Sequence, residues 1–457
     1  MKTSVLILIC FLAKTNAIAA PAKISFSDQH VVLISIDGFP ARLWSDPALP
    51  APNLRKLAAA GAHAKAMTVS NPSITWINHT TLVTGVTPRK HGVLFNGLLV
   101  RQANGLPPKI EQWADKERMV FVPTLYDVAH QAGLTTAEAD WVAVTRARTI
   151  DWSFPELPSP DGKIEREMIA AGAFSEQKIQ WMQFGAGRKN SAWLDECWKR
   201  GAQFILEKHR PNLLLYHILN TDAVHHIYGA GTLASYTALA YADRLVGDLL
   251  QSIEASGIRN KTSVFVVTDH GFKRVSKVIM PNLVLKKAGY FKTHGTTVTE
   301  CDAAAMAQGG MCFLYVQDAS KKVALLPKLR ELFENVEGVE RVLNGSDGPA
   351  LGMPTPSENQ GMGDLVLYAK AGYAFKQEFL GEDVVSASGS YNGTHGYLNS
   401  DPELDGIFIA SGDGIRSGAE LERVSNLDVA PTIARLLGLS LPEVDGRVLE
   451  EILDHGR

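Results

Sequence analysis

Cysteine is scarce, with 4 residues in a chain of 457. None of the four forms a C-x-x-C spacing, so a cysteine-built zinc site is excluded and no disulfide framework carries the fold. Cys10 falls in the N-terminal leader-like stretch, which leaves Cys197, Cys301 and Cys312 and room for at most one bridge within the chain. Cys301 and Cys312, flanking "DAAAMAQGGM", are the expected pair in an oxidising compartment. An excess of charge of one sign is also missing: 45 Lys and Arg stand against 48 Asp and Glu, for a net charge of -3. That balance argues against a nucleic-acid scaffold or a strongly basic membrane patch, and leaves small nucleotides as possible ligands. Nowhere does an apolar run reach the roughly 18 residues that a membrane span needs. Repeats of fixed period and low-complexity tracts are absent as well.

What is present is the composition of an ordinary globular protein, 46% hydrophobic and 20% charged. The N-terminus "MKTSVLILICFLAKTNAIAA" carries Lys2, a short apolar core and the small-x-small pattern Ala17-Ile18-Ala19. This reads as a secretory signal peptide over residues 1–19, with the remaining 20–457 working as a secreted or periplasmic protein. Asn78, Asn260, Asn344 and Asn392 begin N-x-S/T sequons, which matter only in a host that glycosylates.

Short apolar runs, "VVLISID" (31–37), "NLLLYHIL" (212–219), "SVFVVTD" (263–269) and "GIFIASG" (406–412), read as strands buried on both faces. Helical stretches alternate with them at 52–61, 124–133 and 236–257. The expected fold is therefore α/β, a mostly parallel central sheet with helices on both faces. The texture changes at about 283–385, where mixed segments point to a smaller inserted α+β subdomain.

Ligands of open parallel sheets bind beyond the carboxyl ends of the strands. Here those ends deliver Asp37, Asp222 and the pair Asp269-His270, while "NGTHGY" adds His395 from a glycine-bounded loop. His226 follows Asp222 by four residues, one helical turn, so both can face one ion while His225 points elsewhere. Adjacent Asp269 and His270 can share a metal on an irregular loop, which Gly271 permits. Three carboxylates and three imidazoles suit two divalent ions such as zinc. Such a pair of metals supplies what the hydroxyl of Thr75 in "NPSITWINHTTLVTG" lacks as a nucleophile. Asn78, near the start of the same helix, offers an amide for a phosphoryl oxygen.

"SIDGF", "NPSITWINHTTLVTG", "TDAVHHIYG", "TDHGF" and "GTHGY" occur in the order found in the nucleotide pyrophosphatase/phosphodiesterase branch of the alkaline phosphatase superfamily. The closing "NLDVAPTIARLLGLSLPEVDGRVL" is similar to the end of that superfamily's domain, so the resemblance covers nearly the whole mature chain. It implies an alkaline-phosphatase-like fold and a small phosphodiester substrate, nucleotides included. It also implies two zinc ions, one on Asp222, His226 and His395 and one on Asp37, Asp269, His270 and the Thr75 oxygen. Thr75 stands where the family has its covalent nucleophile, Asn78 where it has a phosphate-contacting asparagine, and Trp76 where an aromatic stacks on a nucleobase. Trp141 is a candidate for the opposite wall of that pocket. The motifs depart from the family pattern in "NTDAVHH", "NHTTLVTG" and "HGYLN", so its nucleotide specificity transfers only weakly. Lys and Arg are missing beside Thr75, which favours diesters over monoesters. A threonine-type alkaline phosphatase and a phosphonoacetate hydrolase are the alternatives within the hydrolases. An inactive secreted protein that binds a nucleotide or lipid is the alternative outside them; the complete ligand set speaks against it.

Overall fold

A computed structural model describes residues 28–103, 105–184 and 190–454. The stretch expected to be a signal peptide lies outside these residues. The central sheet has eight strands, which in chain order are β1 (His30–Ile36), β2 (Ala62–Thr68), β3 (Thr136–Ala139), β4 (Trp152–Phe154), β5 (Leu213–Ile218), β6 (Thr262–Val267), β7 (Gly406–Gly412) and β8 (Ala419–Ser425). Across the sheet they run β8-β2-β7-β6-β1-β5-β3-β4.

Because side chains alternate across a strand, a strand covered on both faces is apolar at most positions. β1 shows this: Val32, Ile34 and Ile36 enter one core, and Val31 and Leu33 enter the other. The first core is closed by the helices Pro52–Ala60, Ser191–His209 and Leu233–Ala255. The second is closed by Leu125–Gln131, Val429–Leu436 and part of Thr75–Thr84. The sheet is mostly parallel, as expected, with β1, β3, β4, β5 and β6 forming one parallel block. The "GIFIASG" strand β7 departs from that direction and lies antiparallel to both of its neighbours, β2 and β6.

A second, four-stranded antiparallel sheet contains Ala303–Gln308, Met311–Val316, Leu365–Ala369 and Val339–Asn344, in that order. The helix Lys322–Glu334 covers it through Leu329 and Phe333. The expected Cys301–Cys312 disulfide is not formed, and both thiols are free and buried. The reason lies in the strand pairing: Cys301 ends a two-stranded ribbon opposite Phe291, whereas Cys312 sits inside the four-stranded sheet opposite Ala307 and Leu367.

Candidate active site

The parallel block brings one row of polar residues to its carboxyl edge. Across neighbouring strands β6, β1, β5 and β3, the row is Asp269-His270, Asp37, His217 and Asp140. Asp222 and His226 arrive from the helix Asn220–Tyr228 that follows β5, and His395 from the loop before β7. Gly271, which was expected to free the backbone of an irregular loop, serves instead through size: a Cβ there would lie 2.1 Å from the Glu403 carbonyl oxygen.

Two clusters of ligand atoms result, Asp222 with His226 and His395, and Asp37 with Asp269 and His270. Within the first, His226 Nε2 and His395 Nε2 lie 3.4 and 3.6 Å from Asp222 Oδ1. Within the second, His270 Nε2 lies 3.4 Å from Asp37 Oδ1 and 3.2 Å from Asp269 Oδ2. The rings of His270 and His395 stack with centroids 3.7 Å apart, which joins the two clusters.

The donor set fits metal ions on a specific count. Asp37 Oδ1, Asp222 Oδ1 and Asp269 Oδ2 are buried oxygens without a hydrogen-bond partner, an expensive state unless a cation is to be bound. Each imidazole, in turn, is anchored through its other nitrogen to a backbone carbonyl. His226 Nδ1 faces Gly393 O at 2.9 Å, His395 Nδ1 faces Ser73 O at 2.9 Å, and His270 Nδ1 faces Gly271 O at 3.2 Å. That pattern fixes the tautomer and turns every Nε2 lone pair inward.

Burial keeps two of the three imidazoles neutral. Burial pushes His395 down to about 3, with the neighbouring His270 adding to the effect, and pushes His270 down to about 4, so both rings are neutral near pH 7. Burial, then the charges of Asp269 and Asp222, hold Asp37 well above the usual carboxylate range. For Asp222 burial acts upward, but His226, His395 and His270 outweigh it and its carboxyl stays low.

Thr75 is the first residue of the helix Thr75–Thr84, and its hydroxyl plays no part in capping. Its Oγ1 lies 3.4 Å from His270 Nε2, where it faces the second cluster at the positive end of the helix dipole. All ten residues of this helix are buried although six of them are polar. Four of the polar side chains turn back onto the helix: Thr80, Thr81 and Thr84 hydroxyls donate to the carbonyls of Trp76, Ile77 and Thr80, and His79 Nδ1 lies 2.8 Å from the Thr75 carbonyl. The nucleophile candidate is thus mounted on a rigid, fully packed element.

Two of the expected site residues lie away from the cavity beside Thr75. Asn78 does not reach the site: its Oδ1 accepts from Ser70 N–H and Asn426 Nδ2, and its Nδ2 donates to Pro72 O and Ile74 O. One turn of helix carries it to the buried side, which also closes its sequon to modification in the folded chain. Trp141 is buried against the edge of His79 and lines no part of the cavity beside Thr75. Trp76 is largely buried too, packed with Ile74, Ile77 and Val93, yet one side of it does border that cavity.

The cavity beside Thr75 measures about 220 Å³ and includes Asn96, Gln112, Trp113 and Glu156, which sequence reasoning missed. Exposed Asn96 accepts from the Trp76 N–H at 3.0 Å through Oδ1, placing its amide next to Thr75. Trp113 donates from Nε1 to Glu156 Oε2 at 3.3 Å. No Lys or Arg is among the described residues lining this cavity. Periodicity gave no signal for these residues, because they sit on irregular loops. His217 did leave one, as a lone imidazole inside the apolar "NLLLYHIL".

Residues 31–398 match the family model described as type I phosphodiesterase / nucleotide pyrophosphatase. The chain is 23% identical over 435 residues to a venom phosphodiesterase of Macrovipera lebetinus, covering 92% of this chain and 44% of that protein. It is 22% identical over 424 residues to ectonucleotide pyrophosphatase/phosphodiesterase family member 3 of Rattus norvegicus, covering 90% and 42%. The chain therefore spans less than half the length of these curated relatives. Among solved structures, murine ectonucleotide pyrophosphatase/phosphodiesterase 5, as an inactive variant in complex with AMP, superposes with a TM-score of 0.70 at 17% identity. The match covers 93% of this chain and all of that one, and supports the alkaline-phosphatase-like fold.

Proposed function

The chain belongs to the type I phosphodiesterase / nucleotide pyrophosphatase family, and on that premise we propose that it is a metal-dependent hydrolase of phosphodiester or pyrophosphate bonds. The observation that carries this reading is Thr75 Oγ1 set 3.4 Å from His270 Nε2, beside two clusters of buried ligand atoms. Asp222, His226 and His395 would hold one zinc ion, and Asp37, Asp269, His270 and Thr75 Oγ1 the other. Bound there, the metals would supply Lewis-acid stabilisation of negative charge and a lowered pKa for the threonine hydroxyl.

The protein groups then have these tasks. Thr75 Oγ1 gives its proton to water and forms a bond to phosphorus, while the bond to the leaving oxygen breaks and that oxygen departs as an alcohol, taking a proton from water, or as a phosphate. The N-terminus of the Thr75–Thr84 helix favours the negative charge that develops. The Asn96 amide, on the cavity wall, donates to a non-bridging oxygen. Water next adds to phosphorus and displaces Thr75 Oγ1, which regains a proton, so the phosphothreonine-type ester is hydrolysed. Trp76 and Trp113 offer ring faces to the organic group of the substrate.

A diester monoanion suits the cavity better than a monoester dianion, since no Lys or Arg lines it. The AMP complex of the murine neighbour supports a nucleotide as that organic group. The leader-like residues 1–19 support action outside the cytoplasm. Among the described residues no helix is long and apolar enough to cross a membrane. The test is kcat/KM for p-nitrophenyl thymidine 5′-phosphate against p-nitrophenyl phosphate, before and after chelation. The diester is expected to be the better substrate, with both activities lost to the chelator; a higher value for the monoester would overturn the diester reading.

A further inference from the structure

His217 and Asp140 take no part in either ligand cluster, yet they continue the polar row of the sheet edge directly behind Asp37. Register places them there: Ile36 pairs with Ile218 between β1 and β5, and Ala139 pairs with Tyr216 between β3 and β5. His217 therefore stands between Asp37 on one side and Asp140 on the other. Its Nε2 lies 3.0 Å from Asp37 Oδ2. Its Nδ1 lies 3.1 Å from the Asp140 carbonyl oxygen and also 3.1 Å from Asp140 Oδ2; only the carbonyl has hydrogen-bond geometry, and the carboxylate is an ion-pair neighbour. All three residues are buried, and the edge of the His79 ring closes on His217 with centroids 4.6 Å apart.

A carbonyl oxygen only accepts, so Nδ1 of His217 donates to Asp140, and Nε2 holds the Asp37 carboxylate only as a second N–H donor of the doubly protonated ring. The two oxygens of Asp37 are thereby divided. Oδ2 is occupied by the imidazole, while Oδ1 has no hydrogen-bond partner and faces His270. Asp269 is divided in the same way by different means, with Oδ1 accepting from the N–H groups of Gly38 and His270 and Oδ2 left over. For Asp269 the backbone does the orienting; for Asp37 a side chain from another strand does it. The left-handed backbone of Asp140, with φ of 58°, turns its carbonyl and carboxylate together onto His217.

We propose that His217, clamped by Asp140, is a positioning residue for Asp37, holding Oδ2 so that Oδ1 is presented to the metal of the Asp37, Asp269 and His270 cluster. This rests on the reading of Asp37 as a metal ligand. Outer partners of ligating groups commonly contribute roughly 10- to 100-fold to metal affinity. The fit here is to the site built from Asp37 only, so the Asp222, His226 and His395 site should be spared.

The two amide variants separate the contacts. His217→Asn keeps a donor near the Nδ1 position and loses the one toward Asp37; His217→Gln keeps a donor near Nε2 and loses the other. Zinc affinity is measured site by site by chelator competition on the full chain, with circular dichroism confirming the fold. His217→Asn is expected to weaken one of two zinc equivalents by roughly 10- to 100-fold, with His217→Gln between it and the unchanged protein. Asp37→Asn is the control. If it retains both equivalents at full affinity, the metal-ligand reading itself fails. If it loses one equivalent while His217→Asn binds like the unchanged protein, the positioning role is overturned. Should His217→Asn not fold, His217→Phe, which keeps a ring and removes both nitrogens, carries the test: a weakened Asp37 site is expected, and unchanged affinity would overturn the proposal.

Discussion

Thr75 Oγ1 and His270 Nε2 approach to 3.4 Å across a separation of 195 residues. One comes from the first turn of a buried helix and the other from the loop after a central strand, so the contact exists only in the folded chain. The proposed chemistry needs both elements, and each can be altered separately.

Thr75→Ala removes the proposed nucleophile without touching the six carboxylate and imidazole residues proposed as ligands. The expected outcome is loss of turnover with zinc content, measured by atomic emission, largely retained. Thr75→Ser should restore part of the rate.

Asn78 and Asn96 should give opposite phenotypes. Asn78→Ala removes four buried hydrogen bonds, leaving the Ser70 N–H and Asn426 Nδ2 without the acceptor they use, and is expected to cost about 2–4 kcal/mol of stability. Asn96→Ala, on the exposed cavity wall, should leave urea unfolding unchanged and lower kcat/KM by about 10²-fold or more, as when a donor to a developing charge is lost. A stable, slow Asn78→Ala protein would contradict the assignment.

The contrast shows how far the sequence was legible. Strands β1, β5 and β6 announced themselves because burial on both faces favours near-continuous apolar runs, and the acids at their ends followed. β2 ("AHAKAMT") and β8 ("AELERVS") did not, since strands at and next to the sheet edge keep polar positions. Asp222 and His226 were readable from helical spacing. Asn78 misled because nearness to Thr75 in sequence is not nearness in space: the helix turns it away, and Asn96 returns from a loop. Cys301 and Cys312 misled because proximity in sequence ignored the two separate sheets that hold them.

Acid should loosen the mount of the Thr75–Thr84 helix through His91. Its Nδ1 accepts from Val93 N–H at 3.2 Å, and its Nε2 meets Thr81 Oγ1 at 3.1 Å. Burial pushes this imidazole down to about 3 from 6.5. The unfolded chain takes up a proton near 6.5 that the folded chain refuses until about 3. The contribution to stability is therefore complete above the unfolded value and is lost as pH falls through that window. Urea unfolding at about pH 7.5 and about pH 5 should show a smaller acid loss for His91→Gln than for the unchanged protein; equal losses would contradict it.

Removing metal should lower the melting temperature as well as abolish activity. Ions that bind the folded state stabilise it by mass action, and their loss leaves the oxygens of Asp37, Asp222 and Asp269 buried without partners. Scanning calorimetry with and without chelator checks this, with zinc add-back expected to restore both properties.

The covalent role of Thr75 is tested most directly by rapid acid quench during turnover of a nucleoside phosphodiester, followed by peptide mass spectrometry. A nucleotidyl adduct is predicted on Thr75 in the peptide that contains "NPSITWINHTT". Absence of any adduct, together with undiminished turnover by Thr75→Ala, would contradict it.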